Sequence, residues 1–264
     1  MSDKKYAVIT GASAGIGMEF ARALAKQGYH LVLVARRRER LEALAQELKQ
    51  SYDSDCHILV CDLADRESCE ILADGLQDIP VEVFINNAGF GDCNAFLQGD
   101  LDKELQMIDV NVKALHLLLK RILTQMSANN HGYILNVASS AGLIPAGPYM
   151  ATYYATKAYV TSITQAIARE LQEAGSEVYV GCLCPGPVDT EFNDVAGVEF
   201  SLKGITAKEC VEYAIQQMFR RKTVIVPTWY MRAAVFFGRF LPRSVYVAIT
   251  SMQQKKKLLE RKVP

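Results

Sequence analysis

Seven short apolar runs recur along the chain, and a helix-period stretch follows almost every one. They are Tyr6–Ile9, Leu31–Val34, Ile58–Cys61, Val81–Ile85, Tyr133–Val137, Val178–Cys184 and Val224–Val226. Within each run the apolar residues are continuous, not alternating. A strand covered on both faces has that pattern; one in a half-solvated antiparallel sheet does not. Strand–helix alternation then demands right-handed crossovers and helices on both sides of one sheet. The expected fold class is α/β: a doubly wound, seven-stranded parallel sheet in a single domain. Helices are expected near 16–26, 66–76, 102–126, 153–174 and 207–220, and Leu41, Leu44, Ala45 and Leu48 mark one more helix face. No linker, repeat or low-complexity stretch divides the chain. Residues 1–228 are expected to form the core domain and 229–264 a helical extension of it.

In such sheets ligands bind beyond the carboxyl ends of the strands, and the polar motifs fall there. The first strand runs into Gly11-Ala12-Ser13-Ala14-Gly15-Ile16-Gly17. Gly11 suits a tight turn, Gly15 lets backbone approach a pyrophosphate, and Gly17 lets helix and strand pack closely. The helix that follows offers free N–H groups and a positive dipole end. After the second strand comes Ala35-Arg36-Arg37-Arg38. An NAD site usually has an acid here for the adenosine ribose. Basic residues at a helix start oppose its dipole, and a bound anion relieves the conflict. The 2′-phosphate of NADP is such an anion, with Arg36 the leading contact and Arg37 the second. Asp62 follows the third strand, either as a partner for an adenine amino group or as a turn residue. Asn87, Ala88 and Gly89 close the fourth, where they can hold backbone around adenosine and ribose.

Tyr153 and Lys157 share one helix face four residues apart. An ammonium beside a phenol favours the phenolate, so a lowered Tyr153 pKa is expected. Asn111, in an otherwise apolar helical stretch, needs a polar partner: a backbone carbonyl or a water. Ser139 and Ser140 end the fifth strand, where a hydroxyl can meet a substrate carbonyl or simply shape a turn. Pro185, Gly186, Pro187, Val188 and Thr190 follow the sixth, where backbone N–H groups and the Thr190 hydroxyl can face a carboxamide.

Lys plus Arg equals Asp plus Glu, 29 each, so no general attraction to nucleic acid is expected. Seven cysteines lack CxxC pairs and read as buried thiols in a reducing, cytoplasmic compartment. His30, His57, His116 and His131 lack metal-ligand spacing, so no metal is expected. No signal peptide and no spanning helix is expected; Arg239 and Arg243 interrupt the most apolar stretch.

Together the Thr10–Gly17 turn, Asn86-Asn87-Ala88-Gly89, Tyr153-Tyr154-Ala155-Thr156-Lys157 and Pro185-Gly186 resemble the short-chain dehydrogenase/reductase family over about residues 5–227. The resemblance implies a Rossmann fold and a catalytic tetrad of Asn111, a serine, Tyr153 and Lys157. The family spacing to the tyrosine points to Ser140, and its spacing to a following glycine points to Ser139 through Gly142. An insertion near 145–148 reconciles the two and favours Ser139. The resemblance further implies NADP(H)-dependent hydride transfer between a ketone and a secondary alcohol, with Tyr153 as acid or base and Lys157 holding ribose hydroxyls. Asn111 is expected to support a water that returns the proton. Ala14 departs from the basic residue that many NADP-preferring members carry in the turn. The alternative is a non-catalytic NADP(H)-binding sensor or scaffold of the same fold.

Phe192, Val195, Val198 and Phe200 suggest an apolar lid and a hydrophobic substrate, such as a steroid, acyl or aromatic carbonyl. The family implies a homodimer or homotetramer. For the apolar tail around Met231–Leu241, followed by Lys255–Lys257, subunit contact ranks first, a cover over the substrate opening second, and membrane-surface attachment last.

Overall fold

The computed structural model describes residues 5–197 and 204–260. In chain order its elements are β1 (Tyr6–Thr10), α1 (Gly15–Lys26), β2 (His30–Ala35), α2 (Arg38–Tyr52), β3 (Cys56–Val60), α3 (Arg66–Gly75) and β4 (Val81–Asn86). Then follow α4 (Leu101–Ile108), α5 (Leu115–Ala128), β5 (Tyr133–Val137), α6 (Ala151–Glu173) and β6 (Tyr179–Leu183). The remainder is β7 (Val188–Asp189), α7 (Phe192–Ala196), β8 (Ile205–Thr206), α8 (Ala207–Phe219), β9 (Val224–Ile225), α9 (Trp229–Gly238) and α10 (Arg243–Glu260).

Seven strands pair in parallel in the order β3-β2-β1-β4-β5-β6-β9, and β7 pairs with β8 apart from the sheet. The apolar runs are continuous because each strand feeds two cores. Ala7 and Ile9 join Phe20, Leu41 and Val211 on one face; Val8 joins Leu72, Leu118 and Val160 on the other. Truncating a fully buried ring such as Phe84 to Ala costs about 3–5 kcal/mol in a core of this kind. Cys182 on β6 and Cys184 just after it lie on one face, sulfur to sulfur at 3.8 Å, as alternate residues of an extended segment do.

Strand order reverses between β1 and β4, so their carboxyl ends open a crevice at the switch point. The single helix expected over 102–126 is instead α4 and α5 joined by a π-helical turn, Asp109–Ala114. The Asn86 amide on β4 donates to the Leu115 carbonyl at 3.0 Å, just beyond that turn. The tail forms two helices, and α9 and α10 both reach the carboxyl-end side of the sheet. Val198 and Phe200 of the expected lid lie outside the described residues.

Candidate active site

Of the candidate catalytic and cofactor-binding residues, all but Asn111 and Gly17 border one cavity of about 830 Å³. It runs from the Gly-rich turn past the ends of β4 and β5 to α6 and the tail.

At one end is the Gly-rich turn. Gly11 has φ +68°, a left-handed conformation that side chains disfavour. Gly17 packs so tightly on the Gly11 carbonyl that a Cβ there would collide with it. Ala14, at the N-cap of α1, supplies no side-chain cap. The first N–H groups of the helix therefore keep their capacity for an anion. Thr10, buried at the end of β1, organises the neighbouring loop. Its hydroxyl oxygen accepts the N–H groups of Asn87 at 2.9 Å and Ala88 at 3.0 Å. The Asn87 amide donates in return to the Thr10 carbonyl at 2.8 Å. The motifs do not assign Thr10 to the site; a hydroxyl ending an apolar strand is its signal in the sequence.

Arg36 is exposed, borders the cavity, and makes no ion pair or hydrogen bond among the described residues. Arg37 donates to the Ser13 hydroxyl at 3.1 Å and pairs with Glu191 at 3.1 Å. Arg40 pairs with the same carboxylate. Hydrogen bonds from Arg40 and then Arg37 hold the Glu191 pKa below its usual value. Glu191, just before α7, is thus an anion already seated on the basic loop, and no local pattern announced it. Asp62 is exposed at the cavity edge and accepts the Ala64 N–H at 3.1 Å, which is a turn contact.

At the other end Tyr153 is 8% exposed, and its ring meets Phe192 of α7 at 5.5 Å between centroids. Lys157, also buried, donates from Nζ to the Val137 carbonyl at 2.9 Å and lies 5.9 Å from the Tyr153 ring centroid. The lowered phenol pKa expected from this pair is not what the structure shows. Burial pushes Tyr153 up to about 12, opposed by a hydrogen bond with Ser139. Burial likewise brings Lys157 down to about 8. Desolvation outweighs attraction because the ammonium is turned to Val137 and both groups have left water.

Ser139 is the serine beside Tyr153, and its oxygen also accepts the Ala141 N–H at 3.1 Å. Ser140 also borders the cavity, but its backbone N–H is spent on the Pro185 carbonyl at 2.8 Å, tying the end of β5 to the loop after β6. On that loop Gly186 lies against Met231 of α9, and the Thr190 oxygen accepts the Phe192 N–H at 3.4 Å.

Asn111 lies in the π-helical turn, fully buried behind the cavity wall. Its oxygen accepts the Phe90 N–H at 3.1 Å; its amide donates to the Phe90 carbonyl at 2.8 Å and to the Thr156 hydroxyl at 3.2 Å. The expected backbone partner is therefore Phe90. The tail completes the wall through Met231 on α9 and Gln253 and Gln254 on α10.

Residues 5–197 match the short chain dehydrogenase family. The chain belongs to that family. The very-long-chain 3-oxoacyl-CoA reductase of Anas platyrhynchos is 30% identical over 200 residues, which is 74% of this chain and 63% of that protein. A short-chain dehydrogenase from Sphingobium yanoikuyae, solved in complex with NADPH, superposes with a TM-score of 0.81 at 31% identity, covering 89% of this chain and 93% of its own. A family member from Burkholderia phymatum in complex with NAD gives 0.80 at 26%, covering 89% and 92%. As a family member the protein is an oxidoreductase of the kind that binds a nicotinamide cofactor and interconverts CH–OH and C=O groups.

Proposed function

We propose that the protein is an NADP(H)-dependent oxidoreductase interconverting a hydrophobic ketone and its secondary alcohol. One observation carries this reading: Tyr153, Lys157 and Ser139 share a continuous cavity with the Gly-rich turn and Arg36. The uncapped start of α1 and the close Gly11–Gly17 packing form a cradle that fits a pyrophosphate. Arg36 and Arg37 would hold the 2′-phosphate, and Lys157 the nicotinamide ribose hydroxyls. When bound, the nicotinamide ring supplies or accepts the hydride.

Ser139 orients the substrate carbonyl. Tyr153, protonated through the neutral range, gives its proton to the developing alkoxide and takes it back in the oxidative direction. Asn111 is a positioning residue: its side chain fixes Phe90 and the wall beside Gly89. Phe192, Ile144, Met150 and Met231 make the substrate end largely apolar, which favours a steroid, acyl or aromatic carbonyl over a sugar. Exposed Leu97, Leu101 and Leu105, on and just before α4, support assembly of a homo-oligomer through the long helices. Seven cysteines without a bridge support a cytoplasmic setting.

The test is a screen of ketones and alcohols with NADPH and NADH, followed by nicotinamide absorbance. Turnover of apolar ketones with preference for NADPH is expected. Cofactor binding without turnover of any carbonyl would move the protein to the sensor reading.

A further inference from the structure

The C-terminal helices carry an outer face that the site does not use. Phe236, Phe237 and Phe240 are 54%, 66% and 74% exposed. Their rings touch, with Phe236 lying 5.4 Å from Phe237 and 5.6 Å from Phe240 between centroids. Exposed Leu241 extends the patch, and exposed Trp229 opens the same helix. A single apolar side chain in water is ordinary; a cluster of three rings marks a contact surface.

Charge identifies the partner. Residues 229–260 hold six basic side chains and one acid, whereas the whole chain is neutral. Arg239 and Arg243 are exposed on either side of Phe240 and Leu241. A two-fold contact with a second copy sets the same patch against itself and brings these arginines toward their own counterparts. An anionic bilayer removes that repulsion, and aromatic rings beside arginines suit the headgroup boundary. No helix among the described residues is long and apolar enough to cross a membrane, so the contact is with its surface.

We infer that the outer face of α9 and the turn into α10 dock on an anionic lipid surface. Phe236, Phe237 and Phe240 enter the headgroup–acyl boundary, while Arg239 and Arg243 meet lipid phosphates. The same helices supply Met231 and Gln254 to the cavity wall, so docking holds the substrate end of the cavity near the apolar phase.

Co-sedimentation of the full-length protein tests this with vesicles of phosphatidylcholine alone and vesicles enriched in phosphatidylglycerol. The protein should pellet with the anionic vesicles at low salt and be released at high salt. Arg239→Glu with Arg243→Glu should weaken partitioning about tenfold or more. Phe236→Ser with Phe237→Ser and Phe240→Ser should abolish it and leave turnover of a water-soluble ketone unchanged. Wild-type protein that stays in the supernatant with both vesicles overturns the inference, whether or not the variants fold. So does light scattering that shows an oligomer which the phenylalanine variant dissociates, because a second copy then covers the patch.

Discussion

Gln254 donates its side-chain amide to the Tyr154 hydroxyl at 2.7 Å, joining two residues 100 positions apart in sequence. Both border the cavity. The last helix is therefore part of the substrate wall, which brings the second-ranked role of the tail, cover over the opening, onto this same chain. The remaining oxygen of Gln254 is buried without a partner among the described residues.

Gln254→Leu keeps the volume, removes that unpaired oxygen and leaves the Tyr154 hydroxyl alone. Stability should change by no more than about 1 kcal/mol, since the two effects oppose each other. KM for the carbonyl substrate should rise severalfold while NADPH affinity holds. A denaturant melt and steady-state kinetics check this; an unchanged KM would reduce the pair to packing.

Tyr153→Phe should lower kcat by at least about 10²-fold, the low end for general acid–base catalysis, with cofactor binding nearly intact. Tyr154→Phe should leave kcat close to wild type, because that hydroxyl faces Gln254 and not Ser139. Single-turnover rates on both variants separate the two tyrosines.

Arg36→Ala should weaken NADPH about tenfold or more, the loss of one charge-assisted contact, and barely touch NADH. Glu191→Gln should act in the opposite direction. It releases Arg37 and Arg40 from a solvent-exposed pairing, so NADPH should tighten by roughly threefold. Fluorescence titration of both cofactors reads each change, and equal shifts for NADPH and NADH would remove the 2′-phosphate from this loop.

Lys157 offers a pH test on the cofactor-free protein. Its folded pKa is about 8 against an ordinary 10.5, so between these values the unfolded chain holds the extra proton. Stability should then rise with pH across that window relative to Lys157→Met, by up to about 3 kcal/mol. Tyr153 acts oppositely at higher pH. Its folded pKa of about 12 exceeds 10, so its contribution is full below 10 and lost as pH climbs toward 12. Urea melts of both proteins from pH 7 to pH 10, with a difference that stays flat, would mean that Lys157 is hydrated.

The strands were legible because burial on both faces leaves an uninterrupted apolar run, as in Leu31–Val34. The Gly-rich turn and the Tyr153–Lys157 pair were legible because local geometry dictates their spacing. What escaped depends on contacts distant in sequence. The Thr10 hydroxyl acts on Asn87 and Ala88, Glu191 on Arg37 and Arg40, and Gln254 on Tyr154. None of these leaves a periodicity. The direction of the Tyr153 shift is not legible in the sequence, because spacing shows which charge is near but not how much water both groups have lost.

The π-helical turn makes the chemistry depend on angular phase. An α-helix turns about 100° per residue. The turn between α4 and α5 lets two helical segments keep different faces inward, with Met107 buried before it and Leu115 and Leu118 after it. Deleting one residue there would restore ordinary helical register and remove the widened turn that holds Asn111. Asn111 would leave Phe90, and the wall beside Gly89 would lose its anchor. A length change in this helix, which a surface loop would absorb, therefore reads out at the reacting centre.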